Sequence, residues 1–215
     1  MRVAVFAGGP GIDTDRASSI ASSCDIVIAA DSGADVAAAC GIMPSKVVGD
    51  MDSIDPDTME FLKGKSVPFE VYPVEKDMTD SEICVSQLPE EDEVTLICSL
   101  SGRPDHVLSN MMMAIRMHEE GRDITLTDGI YDFIPLCGPD SISIDGIQDP
   151  DALAVSLIPF TDVKGVTSEG LYYKLDDTDL TPGSSLSVSN KVEQGGNSFT
   201  ITLKHGKLGV LIVPT

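Results

Sequence analysis

Two aspartates separated by one residue are the sharpest candidates for metal chemistry in this sequence. They occur in Gly49-Asp50-Met51-Asp52-Ser53, directly after an apolar pair of residues. If this segment is extended, the carboxylates of Asp50 and Asp52 point to the same side. Such a pair suits Mg²⁺, which takes one or two carboxylates together with water and substrate oxygens. A solvated acidic turn, with Asp55 capping a helix that begins at Pro56, explains the same residues without a ligand.

A second acidic segment is Glu75-Lys76-Asp77-Met78-Thr79-Asp80-Ser81-Glu82. Thr79 and Glu82 have the spacing of a capping box, which predicts the start of a helix. Asp77 and Asp80 are not needed for that cap. Additional carboxylates at a helix start that could otherwise receive phosphate are electrostatically unfavourable unless a metal ion is present, so this segment is a second candidate for metal binding.

A third candidate is Ser101-Gly102-Arg103-Pro104-Asp105-His106, at a predicted junction between a strand and a helix. The planar guanidinium of Arg103 suits phosphate oxygens. Asp105 also fits the first helical turn as a complement to the helix dipole, and His106 alone is more often structural. Asp31-Ser32-Gly33 suits a ribose or phosphate contact and suits helix capping equally well. Together, these acids and one arginine indicate metal-assisted phosphoryl chemistry.

The elements that position these residues alternate between short β-branched runs and helical stretches from residue 1 to about residue 128. This pattern predicts a doubly wound, mostly parallel sheet, in which ligands bind outside the carboxyl ends of the strands. The predicted strands are Arg2 to Ala7, Asp25 to Asp31, Lys46 to Gly49, Phe69 to Val74, Glu93 to Leu100, and Ile124 to Thr127.

The longest predicted helix spans Pro104 to Glu120, with Pro104 in its first turn and Gly121 as its stop signal. Apolar residues recur along it at three- and four-residue spacing, which predicts one face packed in the core. That predicted face consists of Val107, Leu108, Met111, Met112 and Ile115.

After about residue 130 the helical period disappears and the sequence predicts an all-β region, folded as a β-sandwich or jelly-roll-like domain. Its predicted strands are Tyr131 to Leu136, Ser141 to Asp145, Leu153 to Phe160, Ser185 to Ser189, Phe199 to Lys204, and Lys207 to Val213. The change of pattern near Asp128 predicts one domain over residues 1–128 and a second over residues 129–215.

Composition excludes several classes of protein. With 42% hydrophobic and 23% charged residues, the 215-residue chain is neither intrinsically disordered nor a disulfide scaffold. Its 14 basic and 35 acidic residues give a formal net charge of −21. Because that charge opposes binding to nucleic-acid phosphates and anionic lipids, we expect neither nucleic acid nor membrane as a partner.

Cysteine usage and the N-terminus predict a location for the chain. The five cysteines are an odd number without Cys-x-x-Cys spacing, which argues against a disulfide framework or a zinc knuckle. The apolar start is too short and wrongly flanked for a signal peptide, and no run of about 18 apolar residues predicts a transmembrane helix. We therefore expect a reducing, cytoplasmic location.

Five motifs together resemble the thiamine pyrophosphokinase family, in the family's order and approximate spacing. They are Ala30-Asp31-Ser32-Gly33-Ala34, Val48-Gly49-Asp50-Met51-Asp52-Ser53-Ile54, Glu75 to Glu82, Gly102-Arg103-Pro104-Asp105-His106 with Asn110, and Val188-Ser189-Asn190. The resemblance extends from end to end, and the family's fold, an α/β part followed by a β-sandwich, agrees with the prediction from periodicity.

The resemblance implies transfer of the terminal pyrophosphoryl group of ATP to the hydroxyethyl oxygen of thiamine, giving thiamine diphosphate and AMP. It implies Mg²⁺ as cofactor and ATP as co-substrate, bound with the metal by residues 1–128. The implied Mg²⁺ ligands are Asp50, Asp52 and Asp80. The implied ATP contacts are Asp31, Ser32, Gly33, Arg103, Asp105 and His106. With the metal ligands, Arg103 completes the implied catalytic set.

The acceptor site implied by the resemblance lies between two subunits of a homodimer, which residues 129–215 would form. Thr79, Ser189 and Asn190 match positions near thiamine. The chain departs from the family's pattern in having Ser32 after Asp31 and Lys191 after Asn190, and it contains no tryptophan to stack on an aromatic substrate. Two alternatives therefore stay open: a pyrophosphokinase for another hydroxymethyl heteroaromatic alcohol, such as a pterin, and a non-catalytic sensor of nucleotide or thiamine.

Overall fold

The computed structural model describes residues 1–215, which form two compact units. The first unit comprises Met1–Met113 and Gly121–Ile130, and the second comprises Ala114–Glu120 and Tyr131–Thr215. Helices in both parts are too short or too polar to cross a lipid bilayer.

Strands and helices alternate along the first part of the chain, as predicted. The strands are β1 (Arg2–Ala7), β2 (Ile26–Ala30), β3 (Lys46–Gly49), β4 (Phe69–Val71), β5 (Glu93–Ile97) and β6 (Ile124–Thr127). The helices are α1 (Thr14–Ser22), α2 (Gly33–Ala39), α3 (Pro56–Gly64), α4 (Asp80–Ser86) and α5 (Pro104–Glu119). The predicted strands β4 and β5 end three residues earlier than expected, since the chain there leaves the sheet to form loops.

The strands of the first unit form a parallel sheet in the order β4-β3-β2-β1-β5-β6. Counting outward from β1, the chain runs through β2, β3 and β4 on one side and through β5 and β6 on the other. The direction of winding therefore reverses between β1 and β5. In sheets of this kind the reversal leaves a crevice at the carboxyl ends of the strands, and ligands bind there. This confirms the predicted doubly wound α/β fold.

Strand β1 is central because its residues tolerate burial on both faces. Val3, Ala4, Val5 and Phe6 are fully buried, which is the continuous apolar run typical of a parallel sheet covered by helices. Helix α2 begins at Gly33, where an added Cβ would collide with the carbonyl oxygen of Phe6. A glycine at this position allows α2 to start directly against the end of the central strand.

Apart from Ala114–Glu120, which belong to the C-terminal part of α5, the second unit is a β-sandwich, as predicted. Its strands are β7 (Asp132–Cys137), β8 (Asp140–Ile144), β9 (Leu153–Pro159), β10 (Val163–Glu169), β11 (Thr178–Leu180), β12 (Phe199–Leu203) and β13 (Lys207–Pro214), with a 3₁₀ turn at Pro150–Ala152. Strands β7, β13 and β9 pair antiparallel, and β11-β10-β12-β8 form a four-stranded antiparallel sheet. Leu157, Val210, Val166 and Ile201 belong to the apolar core that the strands enclose.

The prediction of a strand over Ser185 to Ser189 is wrong. These residues form turns, and Ser187 and Ser189 have φ angles of +66° and +57°. Residues in the left-handed region cannot continue an extended strand. The sequence analysis also missed β10 and β11, because Gly165 interrupts the alternation in β10 and β11 has only three residues.

The predicted buried face of α5 is also wrong in part. Leu108 and Met112 are 56% and 62% exposed, whereas Met113 and Met117 are buried. The three- and four-residue spacing identified a helix correctly, but Met111, Met112 and Met113 are consecutive and offer two alternative apolar stripes. Packing selects the stripe that contains Met113.

Candidate active site

A cleft of about 520 Å³ lies in the first unit at the carboxyl ends of the strands. Its walls come from Ala7–Pro10 at the end of β1, from Ala30–Ser32 at the end of β2, and from Ser99 after β5. The beginnings of α4 and α5 complete it with Thr79, Asp80, Arg103, Asp105 and His106. The cleft therefore coincides with the reversal of strand order between β1 and β5. Seven of the predicted site residues line it: Asp31, Ser32, Thr79, Asp80, Arg103, Asp105 and His106.

Three carboxylates gather beside this cleft and are called the acid cluster below. Carboxylate oxygens of Asp31, Asp50 and Asp52 lie within 4.8 Å of one another. Asp31 is 8% exposed, and its Oδ1 atom is buried without a hydrogen-bond partner. Its Oδ2 atom accepts a hydrogen bond from the Ser53 hydroxyl. Because a buried polar atom normally has a partner, Asp31 Oδ1 indicates a place for a ligand.

The acid cluster forms by a different local geometry from the extended segment expected from sequence. Met51 has a φ angle of +67°, so the chain turns between Asp50 and Asp52. The backbone N–H of Asp52 donates to Asp50 Oδ1 at 3.3 Å, which closes the turn. Asp31 also lies in the left-handed region, with φ at +46°. Such backbone conformations in residues other than glycine cost free energy and cluster at functional sites.

Asp80 borders the acid cluster across Gly49. A Cβ added at Gly49 would lie 3.0 Å from both Asp31 Cβ and Asp80 Oδ1, so a side chain there would separate these two carboxylates. Asp80 is the first residue of α4 and lines the cleft. Its burial raises the pKa of its carboxyl group above the ordinary value. Gly49 thus permits the close approach of a fourth acid.

Lys76 supplies a positive charge beside these acids. Its Nζ atom donates to Asp50 Oδ2 at 2.7 Å and lies 3.2 Å from Asp80 Oδ1. The hydrogen bond from Lys76 lowers the pKa of Asp50, and the charge of Asp50 in turn raises the pKa of Asp52. Asp80 Oδ1 has no hydrogen-bond partner besides this ion-pair contact. The sequence analysis missed both Lys76 and Ser53, although each stands inside a segment it singled out.

Small residues shape the floor of the cleft. The Ser99 hydroxyl donates to the Pro10 carbonyl oxygen at 2.6 Å. A Cβ at Gly9 would lie 2.6 Å from Ser99 Cβ, and a Cβ at Gly8 would collide with the Ser32 hydroxyl. Glycine is therefore required for this close packing of the loops after β1, β2 and β5. A floor of glycine backbone and serine hydroxyls allows phosphate oxygens to approach closely.

Arg103 and Asp105 stand at the start of α5, where they pair with each other. Arg103 Nε and Nη2 donate to the two carboxylate oxygens of Asp105 at 3.2 and 2.7 Å. Because of these contacts the pKa of Asp105 falls to about 2. The two side chains are 72% and 63% exposed. The guanidinium is held at the cleft and is accessible to an anionic ligand.

The predicted acceptor residues lie in different units. Thr79 lines the cleft and caps α4, since its Oγ1 accepts from the Glu82 N–H at 3.2 Å. This confirms the predicted helix start. Ser189 and Asn190 belong to the second unit and are not among the residues that line the cleft. The Ser189 N–H donates to Ser156 Oγ at 2.9 Å, and Asn190 is 1% exposed.

Two family models match the chain. The first, "Thiamin pyrophosphokinase, catalytic domain", matches residues 17–126, and the second, "Thiamin pyrophosphokinase, vitamin B1 binding domain", matches residues 141–208. The catalytic-domain match includes the acid cluster, Lys76, Asp80 and the Arg103 loop. The second match includes Ser189 and Asn190.

Curated proteins of similar sequence are named thiamine pyrophosphokinases. Thiamine pyrophosphokinase of Bacillus subtilis (strain 168) is 27% identical over 199 residues, which cover 91% of this chain and 92% of that protein. Thiamine pyrophosphokinase 1 of Oryza sativa subsp. japonica is 30% identical over 162 residues, which cover 70% of this chain and 60% of that protein. The similarity to the bacterial protein therefore extends over nearly the whole length of both chains.

Solved structures share the fold. The crystal structure of thiamine pyrophosphokinase from Bacillus subtilis matches with a TM-score of 0.82 at 24% identity, covering 100% of this chain and 99% of the other. Thiamin pyrophosphokinase from Candida albicans matches with a TM-score of 0.78 at 18% identity, covering 100% of this chain and 89% of the other. Because the catalytic-domain family model alone matches just over half of the sequence, the protein belongs to the thiamin pyrophosphokinase family.

Proposed function

We propose that this chain transfers the pyrophosphoryl group of ATP to the hydroxyethyl oxygen of thiamine, giving thiamine diphosphate and AMP. The observation that carries the proposal is the acid cluster, with the buried and unpartnered Asp31 Oδ1, beside a cleft at the reversal of strand order. The cleft volume of about 520 Å³ is within the range of small-molecule sites, about 300–1,000 Å³. Family membership supplies the reaction class.

Mg²⁺ is the cofactor we propose for this site. The donor set fits a hard cation, because Asp50, Asp52 and Asp80 offer carboxylate oxygens and Asp31 adds a further one. The unpartnered Asp31 Oδ1 supports this fit independently of the number of acids. When bound, such an ion neutralises charge on phosphate oxygens.

The remaining groups of the cleft bind and orient the nucleotide in this proposal. Arg103 donates to phosphate oxygens through its planar guanidinium, once Asp105 has held the side chain at the start of α5. Asp31, Ser32 and Gly33 at the end of β2, together with Asp105 and His106, place the nucleotide against the glycine and serine floor. Phosphoryl transfer requires little covalent participation by protein groups, so positioning and charge stabilisation supply most of the acceleration.

Acceptor binding is proposed for Thr79, Ser189 and Asn190, with residues 1–128 carrying the nucleotide and metal and residues 129–215 forming a homodimer. In a symmetric homodimer, Ser189 and Asn190 of one chain complete the site of the other chain. The proposed location is the cytoplasm, which suits five cysteines that are all free thiols.

A product assay tests the reaction. The protein is incubated with Mg²⁺, with ATP labelled in its β-phosphate, and with thiamine, a hydroxymethyl pterin or no acceptor. We expect AMP and labelled thiamine diphosphate in equal amounts, and none of either without thiamine. Formation of ADP with thiamine monophosphate would contradict pyrophosphoryl transfer. AMP release with the pterin alone would identify the other acceptor, and binding without turnover would identify a sensor.

Mixing inactive variants tests the shared site. A homodimer of this 22.7 kDa chain should have a mass of about 45 kDa in solution. If Asp50→Asn and Asn190→Ala are each folded and inactive, mixed dimers should recover part of the activity, because one of their two sites contains both intact halves. A monomer, or no recovery after demonstrated subunit exchange, would place the whole site in one chain.

A further inference from the structure

Lys76 differs from its neighbours in the connection between β4 and α4. Its side chain is 14% exposed, whereas the residues around it face solvent. The exposed neighbours are Val74, Glu75, Asp77 and Met78. Withdrawing an ammonium group from water is costly unless it is paired with opposite charge. The inward orientation of Lys76 therefore depends on what it contacts inside the site.

Lys76 contacts two carboxylates from separate loops. Its Nζ atom lies 2.7 Å from Asp50 Oδ2, after β3, and 3.2 Å from Asp80 Oδ1, at the start of α4. The Asp50 and Asp80 side chains are 9% and 20% exposed. One ammonium thus joins two largely buried acids, both of which belong to the proposed metal-binding set.

We infer that Lys76 is an internal counter-cation, which competes with a divalent cation for Asp50 and Asp80 and so weakens metal binding to the nucleotide-free protein. The inference rests on the proposed function in taking these acids as metal ligands. The competition is direct, because Asp50 Oδ2 is the oxygen that Lys76 already holds. The acid cluster and Asp80 comprise four carboxylates against this one ammonium, so a net negative charge remains to attract a cation.

The inference assigns Lys76 a positioning role in the order of binding. Without nucleotide, Lys76 holds the Asp50 and Asp80 loops together and limits repulsion among the acids. The phosphates of a nucleotide give the ammonium an alternative partner and add oxygen ligands for the metal. Metal and nucleotide then strengthen each other's binding, and this coupling is equal in both directions.

Calorimetric titration of the nucleotide-free protein with Mg²⁺ and Mn²⁺ tests this role. The variants are Lys76→Met, which keeps the length of the side chain and removes its charge, and Lys76→Arg, which keeps the charge. Lys46→Met is the matched control, because Lys46 is also half-buried and pairs with Glu70 at 3.0 Å outside the cleft. We expect Lys76→Met to bind the cations at least about tenfold more tightly, since close charge pairs couple by more than 1.4 kcal/mol. Lys76→Arg and Lys46→Met should bind as the wild type does.

The outcomes separate the inference from the proposed function. Tighter binding by Lys76→Met, including binding where the wild type shows none, supports the inference. Equal or weaker binding by Lys76→Met, in a wild type that binds, overturns the inference and leaves the metal site intact. If no variant binds either cation, the inference and the proposed metal site both fail. Circular dichroism checks the fold, and Lys76→Gln replaces Lys76→Met if the latter does not fold.

Discussion

Two buried polar regions of this protein differ in how their hydrogen-bonding groups are satisfied. In the first unit, Asp31 is 8% exposed and its Oδ1 atom has no partner. In the second unit, Asn190 is 1% exposed, and its Oδ1 atom accepts from the N–H groups of Tyr173 and Lys191 at 3.0 and 2.9 Å. Asn190 Nδ2 donates to the Tyr173 carbonyl oxygen at 2.8 Å.

This difference indicates that the Asp31 carboxylate is available to a ligand, whereas the Asn190 side chain stabilises the fold. A buried side chain whose hydrogen bonds go to the backbone stabilises the loops it joins, whereas an unsatisfied one is costly unless a ligand completes it. We therefore expect substitutions in the acid cluster to reduce activity with little loss of stability. Substitution of Asn190 should reduce stability as well as acceptor binding, because its side chain also holds the backbone groups of Tyr173 and Lys191.

The largest expected effect is on turnover, from Asp50→Asn and Asp52→Asn. Each substitution removes charge from the proposed metal site, and we expect a loss of kcat of about a thousandfold, equivalent to several kcal/mol of transition-state stabilisation. The melting temperature of Asp52→Asn should change little, because Asp52 is exposed and the like charge of Asp50 repels it. AMP formation and thermal unfolding are measured together.

Asp179→Asn is the control for these two variants. Asp179 is an exposed acid of the second unit and pairs with Lys164 at 2.9 Å, as Asp50 pairs with Lys76. It should retain full activity. Wild-type rates in both Asp50→Asn and Asp52→Asn would break the comparison, because the unsatisfied region would then have no catalytic role.

The second-largest expected effect is a loss of stability in Asn190→Ala. Three hydrogen bonds disappear and the backbone groups of Tyr173 and Lys191 lose their partner, so we expect the free energy of unfolding to fall by about 3 kcal/mol. Urea denaturation followed by circular dichroism measures it. Wild-type stability of Asn190→Ala would contradict this prediction, because the hydrogen bonds of Asn190 would then contribute nothing to the fold.

A smaller effect on activity is expected from Arg103→Lys. A lysine keeps the charge but cannot reproduce the planar, two-point contact that the guanidinium offers, so kcat/KM for ATP should fall about tenfold. Stability should change by less than about 0.5 kcal/mol, because Arg103 is 72% exposed. Arg116→Lys, farther along α5 where Arg116 pairs with Glu120, is the control. Identical kinetics in the two variants would make Arg103 a surface residue.

The smallest expected effect concerns a buried group that must stay neutral. Burial raises the pKa of the Cys98 thiol to about 12, from an ordinary value of 9.0. The unfolded thiol therefore loses its proton first, and the stability that Cys98 contributes is present below pH 9 and lost as pH rises toward 12. Between pH 8 and 10 this loss amounts to about 1 kcal/mol. Urea denaturation of Cys98→Ala should show a correspondingly weaker dependence on pH, and an unchanged dependence would contradict the burial argument.

Sequence periodicity predicted the architecture well where packing follows the pattern closely. The strand from Lys46 to Gly49 and the start of α5 at Pro104 agree with the structure, since burial and a proline at the first helical position act locally. The turn from Ser185 to Ser189 was mistaken for a strand. There the left-handed conformations of Ser187 and Ser189 depend on contacts far away in sequence, such as the Ser189 bond to Ser156.

For the site, the sequence predicted which acids lie at the strand ends but not how they contact one another or Lys76. Strand ends brought Asp31 and Asp50 to one edge of the sheet, as a parallel fold requires. The positive φ of Met51 and the pairing of Lys76 with two acids were not predictable, because neither leaves a pattern in the sequence. The orientation of Lys76 depends on Asp50, which is distant in sequence, as well as on Asp80. The resemblance to the family implied that Asp31 contacts the nucleotide. The structure places its carboxylate in the acid cluster, within 4.8 Å of those of Asp50 and Asp52.

The most direct test of this account is the binding of Mn²⁺ to Asp31→Asn, followed by electron paramagnetic resonance of the free ion. Asn190→Ala is the control, measured at a temperature where it remains folded. If the unsatisfied Asp31 Oδ1 marks the metal site, Asp31→Asn should bind Mn²⁺ at least about tenfold more weakly than the wild type, while Asn190→Ala binds normally. Wild-type affinity in folded Asp31→Asn would contradict the central claim that the unsatisfied buried carboxylate is there for a ligand.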